Sequence, residues 1–196
     1  MALADDLAAA LARGAARRPE LLLGDMREPV AASLPATPAA VLVAVTERAR
    51  PGVILTERNA RLRRHAGQVA FPGGRIDPGE DAVAAALREA EEELGLPRRV
   101  ARVIGAADRY LTVTGYEVTP VVAVIPPDLP LTPNPDEVAD WFEAPLDHLL
   151  DAANHSEQEV DWQGTRRRYY EILWHERRIW GATAAMIVNL ARRLHG

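Results

Sequence analysis

The stretch GRIDPGEDAVAAALREAEEELGL, from Gly74 to Leu96, decides how the rest of the chain is read. Val83, Leu87, Ala90 and Leu94 recur at spacings of four, three and four, which predicts a helix burying one stripe. Its start is read at Asp77, a capping residue followed by Pro78 at the first helical position and by Glu80 as in a capping box. Gly95 and Pro97 supply the stop. With about 100° of rotation per residue, Glu89 and Glu93 lie about 40° apart on one face, and Glu92 about 60° from Glu89. Glu80 and Glu91 fall on the opposite flank of the stripe and are not expected to share an ion with that pair.

Carboxylates gathered on one helix face repel one another unless something positive sits between them, and a hard divalent cation with oxygen ligands answers that need. A solvated, glutamate-rich face is the competing explanation, because glutamate favours helix. The full spacing is more specific than the helix. A glycine, a glutamate after five residues, Arg-Glu after seven more, a Glu-Glu pair, one residue, a glycine and an apolar residue are matched by Gly74, Glu80, Arg88, Glu89, Glu92, Glu93, Gly95 and Leu96, with Ala90 in the apolar slot. This resembles the Nudix box. The resemblance implies an α/β fold, a Nudix α/β/α sandwich with a mixed β-sheet and a loop-helix-loop catalytic motif. It also implies magnesium as cofactor, with manganese as the alternative, and Glu89 and Glu93 as the principal metal ligands with Glu92 close by. Arg88 is expected to hold the carboxylates through salt bridges.

Immediately upstream runs ILTERNARLRRHAGQVAFPGG, Ile54 to Gly74. Leu55, Thr56, Arg58, Arg63, Gly67, Phe71, Pro72, Gly73 and Gly74 resemble the signature of the coenzyme A diphosphatase branch of that family. Asn59 departs from it, standing where a serine is usual. Both side chains are short and hydrogen-bonding, so the departure is expected to adjust the loop without removing activity. The IWGATA stretch, Ile179 to Ala184, resembles the C-terminal part of the same branch. On this resemblance Arg58, Arg63, Gly67, Phe71, Gly73 and Gly74 form the substrate-binding set, and Gly73 or Gly74 presents a backbone carbonyl or admits the substrate closely. Arg58, Arg61, Arg63, Arg64 and His65 are also the densest basic cluster in the chain. Cations apart from a metal site would suit a diphosphate and a separate 3′-phosphate, although Arg61 and Arg64 read equally as a solvated basic loop.

The activity expected is attack of water on one phosphorus of the diphosphate of coenzyme A or a derivative, giving 3′,5′-ADP and 4′-phosphopantetheine or its acyl form. Arg88, Glu89, Glu92 and Glu137 are the catalytic candidates, with the general base open among Glu89, Glu92 and the more distant Glu137. The alternatives are a Nudix enzyme acting on ADP-ribose, NADH or a modified nucleoside triphosphate, and a regulatory module that keeps the fold without catalysis. A P-loop is excluded, because Gly73-Gly74 is not followed by Gly-Lys-Ser/Thr.

Outward from these motifs, Ala39 to Thr46 and Gly52 to Thr56 predict a hairpin. Val100 to Ala106, Glu117 to Ile125 and Tyr169 to Trp174 read as strands, Leu146 to Ala152 as a short helix and Thr183 to Leu194 as a closing amphipathic helix. One domain spanning residues 1–196 is expected, with an N-terminal helix within about residues 1–25 packed on it. That segment carries Asp5 and Asp6 early and Arg13, Arg17 and Arg18 late, an order that suits a helix dipole and not a signal peptide. The 48% apolar and 26% charged residues suit a globular chain with no membrane span. The absence of cysteine removes thiol catalysis and fits a cytoplasmic setting. All 23 basic residues are arginine, and the net charge of −5 argues against bulk binding to nucleic acid. The partner expected is therefore a small molecule, and the family resemblance allows a homodimer.

Overall fold

From Thr37 to Thr46 the chain is apolar at nearly every position, the pattern of a strand covered on both faces. It forms β1 (Thr37–Thr46), the first of eight strands that the described residues place in one mixed sheet, followed by β2 (Gly52–Arg58), β3 (Val69–Ala70), β4 (Gly73–Arg75), β5 (Arg102–Ala106), β6 (Tyr110–Leu111), β7 (Tyr116–Ile125) and β8 (Val138–Pro145). The helices are α1 (Leu3–Arg17), α2 (Ala82–Leu94), α3 (Leu146–Leu150) and α4 (Ala182–His195). A second, antiparallel sheet comprises β9 (Ser156–Trp162), β10 (Thr165–Trp174) and β11 (Arg177–Trp180). This computed structural model describes residues 2–24, 36–59, 67–162 and 165–195.

At the centre β1 runs parallel to β7 along its whole length, from Thr37 beside Tyr116 to Thr46 beside Ile125. Period-two alternation sends Val43, Val45, Val122 and Val124 to one face and Leu42, Ala44, Val121 and Ile125 to the other. The first face is covered by α1, α3, α4 and the second sheet, the other by α2. The result is the expected α/β class with helices on both sides of a mixed sheet.

Among the described residues, the expected hairpin pairs β1 with β2 at Val45 and Val53, close to the turn. The first half of β1 is taken by β4, with Ala39 opposite Arg75, Ala40 opposite Gly74 and Val41 opposite Gly73. A Cβ on Gly73 would lie 2.4 Å from the Ala40 carbonyl oxygen, so only glycine lets β4 dock there.

Helix α2 begins four residues later than its sequence signals suggest. Asp81, not Asp77, is the N-cap, its side chain accepting from Ala84 N at 2.8 Å. Asp77 to Glu80 instead form a turn, with Glu80 N donating to the Asp77 carbonyl at 3.0 Å and Gly79 at φ +90°. Proline followed by a positive-φ glycine is a type II turn signal, which competes with the helix-start reading of the same residues. Strands β9 and β11 lacked an apolar signal. Glu157 and Glu159 on β9 are answered by Arg166 and Arg168 on β10 rather than by a core.

The N-terminal helix lies against α4. Ala4 and Leu7 are buried, and a Cβ on Gly14 would sit 1.9 Å from the Arg193 carbonyl oxygen. Arg193 Nη1 donates to the Gly14 carbonyl at 2.8 Å while the same guanidinium pairs with Asp108. Farther on, the buried Asn189 amide both donates to and accepts from the Leu22 backbone, each at 2.8 Å. Alanine in a helix normally gains up to about 1 kcal/mol over glycine. Here Gly14→Ala is expected to lower the urea midpoint, with overpacking costing about 1–3 kcal/mol; a raised midpoint would show that α1 does not sit on α4 in solution.

Candidate active site

Small side chains bring α2 down onto the sheet. Ala85, Ala86 and Ala90 are fully buried against Ala40, Leu42, Ala44 and Ala123. The buried face thus includes more alanine than the expected stripe, while Val83 and Leu87 are only partly buried. Gly95 ends the helix at φ +66°, its N–H bonded to the Ala90 and Glu91 carbonyls. The last carbonyls are satisfied from outside, Leu94 O by Thr132 N and Glu93 O by Asn134 N, each at 2.8 Å.

This approach carries two glutamates into the Gly73-Gly74 strand. Glu93 is 2% exposed, and its Oε2 accepts from Gly73 N at 3.2 Å. Its Oε1 lies 3.7 Å from Arg58 Nη1. Glu89 folds over Gly74, where a Cβ would come within 2.4 Å of the carboxylate carbon. The two glycines thus have different reasons, Gly73 a close approach to β1 and Gly74 room for Glu89. Burial pushes the Glu93 carboxyl up to about 8, against the pull of Arg58 and the Gly73 N–H, with Glu89 and Glu137 adding repulsion. Burial also raises Glu89, against its bond to Arg88, and Glu92 and Glu137 push the same way. Among the described residues Arg58 Nε is a buried nitrogen without a hydrogen-bond partner.

Arg88 organises the acidic residues around this pair. Its Nε and Nη2 bind both oxygens of Glu80 at 2.9 Å, Nη1 binds Glu89 at 2.8 Å and Glu92 at 3.2 Å, and Nη2 also donates to the Arg75 carbonyl at 3.0 Å. Five N–H groups thereby meet five acceptor contacts, which a lysine with three donors cannot do. Glu80, expected on the far flank of the helix, lies before it and folds back to Arg88; its displacement follows from the later helix start. Glu91 does point elsewhere, to Arg98 at 2.6 Å.

Other sequence candidates are placed as follows. Glu92 is largely exposed at the rim. Glu137 stands in the loop before β8, near enough to raise both the Glu89 and the Glu93 carboxyl. Gly67, at φ +69°, donates to the Arg58 carbonyl at 3.0 Å and closes the turn leading to β3. Phe71 is only 4% exposed and packs in the α4-side core, so its side chain supports the sheet instead of lining the carboxylates. Arg63, with Arg61, Arg64 and His65, lies outside the described residues. Of the C-terminal motif, Thr183 donates to the Val69 carbonyl at 3.1 Å, pinning α4 beneath the strand that leads into Phe71-Pro72-Gly73-Gly74. A cavity of about 410 Å³ lined by Leu150, His155, Tyr170, Val188 and His195 lies across the sheet on the α4 side, away from these glutamates.

The Nudix domain model matches residues 36–163, a span that begins just before β1 and includes the whole glutamate site. The chain belongs to the Nudix family. Nudix hydrolase NudL of Escherichia coli strain K12 is 46% identical over 158 residues, covering 80% of this chain and 82% of that protein. The Citrobacter koseri NudL gives the same identity and coverage. The crystal structure of RenU, a Nudix hydrolase from M. smegmatis, is similar with a TM-score of 0.51 and 26% identity over 59% of this chain and 74% of that one. The protein is accordingly a Nudix hydrolase, acting on pyrophosphate bonds. No helix among the described residues is long and apolar enough to cross a membrane.

Among the described residues no three Asp, Glu, His or Cys side chains already stand together as a metal-ligand group; Arg88 and Arg58 engage the carboxylates instead. A carboxyl raised from 4.5 to about 8 favours the folded state below the lower value, and that contribution is lost as the pH rises through the upper one. With chelator present, Glu93→Gln should therefore be more stable than the parent at pH 8, by on the order of a few kcal/mol and with a higher melting temperature, and the gap should close by pH 4. Equal pH dependence of the two melting curves would mean that Glu93 is not desolvated.

Proposed function

We propose that this Nudix hydrolase cleaves the diphosphate of coenzyme A or a derivative, with magnesium, or manganese in its place, held by Glu89 and Glu93 and with Glu92 at the rim. The observation carrying the metal assignment is the buried Glu93 carboxylate, raised by desolvation and faced, among the described residues, by Arg58 at 3.7 Å. A hard oxygen-ligated cation fits that donor set, whereas two arginines neutralise it incompletely. When bound, such an ion supplies charge neutralisation at the phosphoryl oxygens and lowers the pKa of a coordinated water.

The protein's own groups do the positioning. Gly73 N–H fixes one oxygen of Glu93, and Gly74 leaves the space in which Glu89 lies. Arg88 holds Glu80, Glu89 and Glu92 in a fixed array, so that little side-chain freedom is lost when substrate enters. Glu137, Glu89 or Glu92 takes the proton from the attacking water; oxygen then bonds to one phosphorus and the bridging P–O bond breaks. Arg58 approaches from β2 with its Nε without a hydrogen-bond partner among the described residues, a donor suited to a phosphate oxygen.

Coenzyme A is favoured over other diphosphates by the segment from Leu55 to Gly74, which puts Arg58 against the glutamates and supplies Arg63 for a 3′-phosphate. The homodimer and the cytoplasmic setting expected from the sequence belong to the same proposal. A chromatographic product assay with magnesium and a panel of coenzyme A, dephospho-coenzyme A, ADP-ribose and NADH tests it. Release of 3′,5′-ADP from coenzyme A in preference to the other cleavages is the expected result. Cleavage of another member with coenzyme A untouched would leave the chemistry and reject the substrate.

A further inference from the structure

We infer that Asn59 is a positioning residue for Glu137, strapping the loop that carries it to the end of β2. The inference rests on the diphosphatase reading above and adds to it a residue that acts through Glu137 without touching substrate.

Residues 132–137 lie between two anchors. At one side Thr132 N and Asn134 N bond to the last carbonyls of α2, those of Leu94 and Glu93. At the other, Asn59 N donates to the Glu137 carbonyl at 2.9 Å, and Asn59 Nδ2 donates to the Pro135 carbonyl at 2.7 Å. Between the anchors Asn134 turns the chain, its side chain accepting from Asp136 N at 3.1 Å and its carbonyl from Glu137 N and Val138 N. Pro133 and Pro135 have no N–H, and every other N–H from Thr132 to Val138 is already committed to α2 or to Asn134. The carbonyls of Pro135 and Glu137 are met from outside the loop, and Asn59 supplies both donors.

The same asparagine follows Arg58, where the register between β2 and β8 shifts. Such an irregularity re-aims side chains, and here it leaves Arg58 on the glutamate side with Asn59 turned to the loop. Glu93 is thus bracketed by one construction: its own carbonyl holds Asn134, its carboxylate faces Arg58, and Glu137 adds repulsion from the loop between. The serine usual at this position ends one bond short of an amide nitrogen, so the bond to Pro135 uses the extra reach of asparagine.

Amide hydrogen exchange across residues 132–138 of the metal-free protein tests the strap, and steady-state kinetics on the diphosphate substrate tests its purpose. Asn59→Ala should speed exchange in that segment several-fold while the melting temperature changes little, because Asn59 is not in the core. It should lower kcat by about tenfold with KM within about twofold of the parent. In a Glu137→Gln background the same substitution should lower kcat by less than about twofold, since the group it positions is gone. Unchanged exchange would remove the strap. An equal fold loss in both backgrounds, or parental turnover in Glu137→Gln alone, would show that Asn59 does not act through Glu137. Exchange is read on the protein alone, so an inactive substrate panel would reject the diphosphatase reading and with it the positioning role, yet still report whether the strap exists.

Discussion

One guanidinium holds the site together. Arg88 is mostly buried and meets Glu80, Glu89, Glu92 and the Arg75 carbonyl at once, joining the loop before α2, the helix itself and β4. Three carboxylates this close would otherwise repel one another, and the penalty would fall on the junction where Gly74 lets Glu89 lie against the strand. Arg88 does not reach Glu93. Among the described residues that carboxylate meets a backbone N–H and, at longer range, Arg58, and burial raises its pKa against the pull of both. The acidic site is thus divided into a neutralised rim and an under-neutralised floor, and the floor is where a further cation would bind most usefully.

The fold provides this arrangement by close approach. Alanines on α2 and glycines on β4 remove the side chains that would separate helix from sheet. Larger residues at Ala86 or Ala90 would lift the helix and with it Glu89 and Glu93. The same economy appears on the other side of the sheet, where Gly14 lets α1 touch α4 and Thr183 ties α4 to β3. Each face of the sheet therefore has a bearing on the position of Gly73-Gly74.

Much of this was legible in the sequence, for reasons that can be named. Helical periodicity placed Glu89 and Glu93 on one face, and apolar runs marked β1 and β7 as strands. The start of α2 differs from the sequence expectation because Asp-Pro-Gly-Glu satisfies both a cap and a type II turn, and only the positive φ of Gly79 separates them. Glu80 shifts with it, since helical rotation does not apply to a residue in the turn before the helix. Phe71 was grouped with the binding residues through its motif, although its side chain faces the core. What the sequence could not reveal were contacts between distant segments: Asn59 to Pro135, Asn134 to Glu93, and the ion pairs that replace an apolar pattern on β9 and β10.

The central claim is that the under-neutralised floor around Glu93 is built to hold a divalent cation. Manganese, followed by electron paramagnetic resonance as it is titrated into the purified protein, reports that binding directly through loss of the free-ion signal. The account predicts saturable binding by the parent and at least about tenfold weaker binding by Glu93→Gln, because the substitution removes the charged ligand that burial leaves least compensated. Equal manganese affinity in the two proteins would contradict it.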